Sequence, residues 1–161
     1  MRTMILTSAA LAVVIALAIT GAATATTSTK IEHFSFIQTQ TSGNEYLYSA
    51  IATGDFTDGG TAIAGKPIAT LRLSRGTITL MTTHRQAKST ANLKLCLETY
   101  ANSGTYKVVS GTRAYKGISG SGKYTIHTTG VGPISNGKCL TTANGIADQG
   151  IILASGPVSL P

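Results

Sequence analysis

The chain has no tryptophan, two cysteines and only six acidic residues among 161. Each shortage narrows what it can be. Cys96 and Cys139 stand far apart without a matched histidine, which is not zinc spacing. The three histidines, His33, His84 and His127, are scattered, with no Asp, Glu or Cys at ligand spacing beside them. An acid–base pair needs two carboxyl groups brought together with their pKa values pushed apart, and six carboxylates offer few ways to build one. Asp55 and Asp58 flank Phe56 in a glycine-rich stretch that reads as turn chemistry. The glycine array after residue 104 lacks the Gly-Lys-Ser/Thr ending of a phosphate loop. Gly120-Ser121-Gly122 has the wrong neighbours for a hydrolase elbow. No helical period longer than about two turns appears, and no repeat of solenoid or propeller length. No metal, cofactor or catalytic residue is therefore assigned, and enzymatic activity is left open with the balance against it.

No apolar run after residue 25 is long enough to cross a bilayer, so stable membrane insertion is not expected. What precedes it is a different signal. Met1-Arg2 is a short basic start, Ala9 to Ile19 is apolar, and Ala23-Thr24-Ala25 presents small residues for cleavage. That is the anatomy of a secretory signal peptide. No cysteine follows the run, which argues against a lipid anchor. Residues 1–25 are read as signal and 26–161 as one exported domain. Without Arg2 the mature chain carries twelve basic and six acidic residues, a net charge of +6. A chain of this length holds a core without a metal.

The remaining sequence is rich in Thr, Ser, Gly and Ala, a composition suited to strands and turns. Ile31 to Gln38 alternates, with Phe34 and Phe36 on one face and Ile31, His33, Ser35 and Ile37 on the other. Tyr46 to Thr53 forms a second run, and Gly54 to Thr61 reads as a bulge and turn. Ile68–Leu73 and Thr77–Thr82 read as a hairpin around Ser74-Arg75-Gly76, with Leu71 and Leu73 on one face, Arg72 on the other, and Ile78 and Leu80 sharing a face. Thr83 to Asn92 reads as a polar loop. Leu93, Leu95 and Leu97 alternate with Cys96, which predicts a strand carrying Cys96 on the face away from the leucines. Thr105–Ser110, Lys123–Thr128 and Ile146–Ala154 complete about eight strands, the count of a small antiparallel barrel or sandwich. Export into an oxidising compartment makes a Cys96–Cys139 disulfide the default, with free thiols or a metal pair as the weaker alternatives. It would tie the Cys96 strand to the segment after the Asn136-Gly137 turn, outside the main core.

The most distinctive segment is Gly111-Thr112-x-Ala114-Tyr115-x-Gly117-Ile118-x-Gly120-x-Gly122-x-Tyr124, preceded by Gly104-Thr105-Tyr106. Glycine at this density permits tight bends between strands, and Tyr115 and Ile118 suit a plug for one end of a barrel. The segment resembles the signature of allene oxide cyclase-like and dirigent-like barrels, with especially similar segments in small secreted actinobacterial proteins. Ala52-Thr53-Gly54-Asp55-Phe56-Thr57 and the Cys96-Leu97 strand fit the same order, so the resemblance runs loosely from Tyr46 to Leu153. It departs at Arg113 or Ala114, where the family has a second glycine before the aromatic. The resemblance implies an eight-stranded antiparallel barrel with a central cavity. It marks Gly111, Gly117, Gly120, Gly122 and Tyr115 as a structural glycine hairpin. Plant members of the group include a fatty-acid oxide cyclase and proteins that steer phenoxy-radical coupling, but none of their catalytic residues maps onto this chain.

Three functions follow as expectations. The first is binding of a small apolar or amphipathic ligand in the lumen, which requires that side chains do not fill the barrel. The second is a cyclase or isomerase on a lipid-like or aromatic substrate, for which Tyr46, Tyr48, Tyr106 and Glu98 are the residues to find in a cavity. The third is a cell-surface role using a basic face made by Arg72, Arg75, Arg85 and Lys88 toward an anionic envelope component. Nucleic acid is not expected as a partner: it would want aromatics interleaved with basic residues on one face, and only Tyr106, Tyr115 and Tyr124 stand near the basic residues of the glycine segment.

Overall fold

The computed structural model describes residues 30–42, 45–65, 67–140 and 145–161. The signal segment lies outside these residues. Eight strands close into an antiparallel barrel: β1 (Lys30–Ser42), β2 (Glu45–Thr53), β3 (Asp58–Ala64), β4 (Ile68–Leu73), β5 (Gly76–Asn92), β6 (Leu97–Gly111), β7 (Ser119–Val131) and β10 (Ala147–Ser159). Around the barrel the order is β1-β10-β7-β6-β5-β4-β3-β2, with β1 pairing both β2 and β10 to complete the ring. A separate two-stranded piece, β8 (Ile134–Ser135) and β9 (Lys138–Cys139), sits between β7 and β10 in sequence.

The period-two alternation dictates which residues enter the lumen. Phe34 and Phe36 point in, and Ile31 and Ile37 remain half exposed outside. Leu71, Leu73, Ile78 and Leu80 also point in, across the register Leu71↔Ile78 and Leu73↔Gly76, while Arg72 points out. Because strands alternate in direction, the barrel has two unlike ends. The β2–β3 turn, the β4–β5 turn and the β6–β7 connection gather at one end. The residues between β5 and β6 and between β7 and β10 gather at the other.

Three sequence expectations are corrected. Asp58–Thr61, read as part of a turn, belongs to strand β3 (Asp58–Ala64), which pairs Ala62 with Tyr48 and Leu71. Thr83–Asn92 is not a loop: β5 runs on to Asn92, paired with β6 through Asn92↔Leu97. The apolar alternation stops there because β4 last pairs at Ile68↔Met81, leaving this stretch of β5 bonded on one side only and its described side chains largely in solvent. A polar composition and a bulge between His84 and Gln86 suit an unpaired edge, since both discourage edge-to-edge aggregation. Finally, Leu93 to Cys96 forms a turn, not a strand. Cys96 has φ +50°, and Leu93 and Leu95 lie exposed at the rim because no facing sheet covers them.

Candidate functional site

The lower half of the lumen is packed around a fully hydrogen-bonded carboxylate, Asp58. A short 3₁₀ turn at Arg113–Tyr115 drops the Tyr115 ring into the barrel end, with Gly117 (φ +83°) reversing the chain into β7. Tyr115 packs 5.0 Å from Phe56 between ring centroids, and Phe34 packs 6.3 Å from Phe56 and 6.0 Å from Tyr106. Ile118 and Val158 are buried in the same layer. The Tyr115 hydroxyl donates to the Asp58 carboxylate, which also accepts from the Ser74 hydroxyl, the backbone N–H groups of Gly59 (2.7 Å), Ser74 (3.3 Å) and Arg75 (3.1 Å), and the Arg75 guanidinium (3.4 Å). Burial alone would raise the Asp58 carboxyl. The hydrogen bonds from Ser74, Tyr115, Gly59 and Arg75 together outweigh it and hold the group well below the usual carboxylate range. This is a structural carboxylate: every direction around it is occupied.

Glu32 is the second buried acid at this end, 0% exposed. Its Oε2 accepts from the N–H groups of Asp55 (2.8 Å) and Phe56 (3.3 Å), and Oε1 has no partner among the described residues. Burial raises its carboxyl above the ordinary value, against the lowering pull of those two N–H groups. Glu32 sits two inward positions below Phe36 on β1 and is not part of the cavity wall above it.

Above the Phe34 layer the lumen opens. A cavity of about 1160 Å³ runs from Phe36, Leu71, Leu80 and Ala154 to the mouth. Small side chains make the room: Ala62, Ala64 and Ala69 face in from β3 and β4. Two glycines shape the opposite wall. The β6–β7 register places Gly104 across from Tyr124 and Gly122 across from Tyr106. A Cβ on Gly104 would stand 2.6 Å from the Tyr124 hydroxyl, and one on Gly122 would stand 2.6 Å from the Tyr106 ring. Each tyrosine therefore lies close over the glycine of the neighbouring strand, in space that any larger residue there would take.

The cavity wall carries a polar cluster. Asn102 Nδ2 bonds the Tyr100 hydroxyl (2.9 Å) and lies 2.9 Å from His84 Nδ1, which stands 2.7 Å from the Tyr124 hydroxyl. Asn102 is 6% exposed, and its Oδ1 has no partner among the described residues; the same is true of the Tyr106 hydroxyl. Burial pushes the hydroxyls of Tyr48 and Tyr106 up to about 12 and raises that of Tyr124, so these phenols stay neutral. Near the mouth, Gln38 Nε2 donates to Asp148. Cys96 and Cys139 are joined there as a disulfide with Cα atoms 5.3 Å apart, linking the β5–β6 turn to β9.

The four residues expected in a cavity, Tyr46, Tyr48, Tyr106 and Glu98, all line this one. The proposed basic face is divided. Arg72 and Arg75 sit by the β4–β5 turn at the closed end, where Arg75 is bound to Asp58 and stacked 5.8 Å over Tyr115. Arg85 and Lys88 lie nine and twelve residues past Gly76 along β5, about 30–40 Å away along an extended strand. His127 faces solvent. His84 escapes the sequence reading because Thr83–Asn92 reads as loop, and Tyr100 and Asn102 escape it because their strand is read only from Thr105. The period-two series Tyr100, Asn102, Gly104, Tyr106, Val108 is the signal that would have found the last two.

These features define a closed eight-stranded antiparallel barrel with a cavity entered from one end. In comparisons with known proteins the chain matches no family model, no curated protein and no solved structure.

Proposed function

We propose that this is a secreted carrier that binds a small amphipathic molecule inside the barrel. The observation that carries the reading is the cavity of about 1160 Å³ above a sealed aromatic floor. Small eight-stranded barrels can be filled by side chains or can hold one small ligand, and ligand pockets commonly measure about 300–1,000 Å³. Leu71, Leu80, Phe36 and Ile126 supply apolar area, and the tyrosines and Asn102 supply fixed polar groups. Kinship with the allene oxide cyclase-like barrels is part of the proposal and rests on the glycine segment and the strand count. Export rests on the signal-like first 25 residues.

One observation favours a second reading, an isomerase or cyclase. The raised carboxyl of Glu32 interacts electrostatically with Tyr106, which reaches the cavity wall. A perturbed acid behind a buried tyrosine is a candidate proton relay. Carriage is preferred because Glu32 itself does not reach the cavity.

Native mass spectrometry of the protein secreted by its own host, beside a denatured run, tests the carrier reading. An adduct lost on denaturation is expected, and its mass gives the ligand class. Repeated bare protein, together with failure to take up a neutral apolar dye, overturns it.

A further inference from the structure

The chain carries seven more basic than acidic residues, yet among the described residues that line the cavity there is no Lys and no Arg. The cavity's charged side chains are carboxylates, Glu98 and Asp148, both near the mouth. Deeper in, the ring of phenols is held neutral by burial. Two buried polar atoms on the cavity wall have no partner among the described residues: the Tyr106 hydroxyl, which can donate or accept, and Asn102 Oδ1, which only accepts, while Asn102 Nδ2 donates to the Tyr100 hydroxyl and lies 2.9 Å from His84 Nδ1. A buried acceptor without a partner is costly, and a bound donor removes that cost. A carboxylate ligand would meet the opposite of what it needs. It would lose its hydration, find one tyrosine hydroxyl but no Lys or Arg to replace it, and pass two negative groups on entry. A hydroxyl or ammonium group would find an acceptor below, carboxylates at the mouth and tyrosine faces that attract cations.

We infer that the barrel selects a non-anionic amphiphile bearing a hydroxyl or ammonium donor, with Asn102 Oδ1 reading the donor and Glu98 and Asp148 excluding acids. This rests on the carrier reading and sharpens it. It sets the chain apart from a carrier of free fatty acids.

The test is competition against bound Nile red, a neutral dye, using the full secreted chain with its disulfide intact. The competitors share one ten-carbon chain: decan-1-ol, decylammonium, decan-2-one and decanoate. The alcohol and the ammonium ion are expected to displace the dye at concentrations about tenfold below those of the ketone and decanoate, the scale of one buried hydrogen bond to a fixed acceptor. Asn102→Ala should collapse the alcohol-to-ketone ratio toward one. Glu98→Gln with Asp148→Asn, which leaves the deep cluster untouched, should narrow the gap between decylammonium and decanoate. Equal or tighter binding of decanoate or of the ketone by the wild type overturns the inference while leaving the carrier reading intact. Unchanged ratios in both variants overturn the residue assignments. Absence of saturable dye binding by the wild type removes the carrier reading itself.

Discussion

Two buried polar groups in this barrel, Asp58 near the closed end and Asn102 on the cavity wall, are used in opposite ways. At the closed end, Asp58 is surrounded by donors from Gly59, Ser74, Arg75 and Tyr115, and the rings of Phe34, Phe56 and Tyr115 fill the space around it. Above them, Asn102 and Tyr106 keep polar atoms without partners among the described residues, on the wall of a large cavity. The difference separates a group that stabilises from a group held ready. A satisfied buried network rigidifies the fold, and an unsatisfied one costs stability that only a ligand returns. The glycine-rich β6–β7 connection belongs to the first category: Gly111, Gly117, Gly120 and Gly122 shape the route that seats Tyr115 and brings β7 beside β6.

The comparison is broken most severely at Asp58. Asp58→Ala takes the acceptor from the buried Tyr115 hydroxyl and from the donors of Gly59, Ser74 and Arg75 at the barrel end and should cost about 3–5 kcal/mol, measured by urea unfolding. Next in size is the clamp at the mouth. Replacing Cys96 and Cys139 by serine frees a loop of sequence separation 43, for which loop-closure entropy gives up to about 4 kcal/mol. The loss should loosen the open end first, seen as faster amide exchange in β9 and the β5–β6 turn than in β1. Tyr115→Phe removes one donor to a charged acceptor and keeps the ring, so about 1.5–3 kcal/mol is expected. At the other end, Asn102→Ala should change stability by less than about 1 kcal/mol, because its partners Tyr100 and His84 border the cavity and reach water. Equal costs at Asp58 and Asn102 would erase the distinction between the ends.

Acidity separates the two buried carboxyls of the closed end. Folding lowers the Asp58 pKa, so its contribution is present above the unfolded value of about 3.9 and is lost as pH falls toward the folded value. Folding raises the Glu32 pKa, so its contribution is fully present below the unfolded value of about 4.3 and is lost as pH rises through the folded value. Stability should therefore decline on both sides of a mildly acidic maximum. Glu32→Gln should flatten the decline on the alkaline side, and Asp58→Asn the decline on the acid side, in thermal unfolding followed from pH 3 to 8.

Much of the barrel is legible in the sequence because its inner face is apolar wherever the lumen is packed. Phe34-x-Phe36, Leu71-x-Leu73 and Ile78-x-Leu80 each announce a strand and its inward side. The pattern fails where the physics changes. Beyond Thr82, the described side chains of β5 are exposed and none is a large apolar residue, so no alternation marks it as strand. Asp58–Ala64 contains Gly59 and Gly60, read as turn, yet a Cβ at Gly60 would stand 2.1 Å from the Arg72 carbonyl oxygen. That glycine permits close packing of strands. The leucines at 93 and 95 imitate a strand at the rim, where no partner layer covers them. The site was half legible: four of its wall residues alternate on recognisable strands, while His84 and Asn102 meet only because β5 and β6 pair far past the apolar pattern.

The central claim is that the upper lumen is open and occupied by one ligand. Ala62 faces the cavity from β3, and the chain has no other tryptophan, so Ala62→Trp both obstructs the space and reports on it. Nile red titrated into the wild type and into Ala62→Trp is the most direct measurement. The account predicts saturable one-to-one binding to the wild type and its loss in the variant, whose unfolding free energy changes by less than about 1.5 kcal/mol because the new ring enters existing space. No saturable binding to the wild type, or a folded variant that binds the dye as tightly as the wild type, would contradict it.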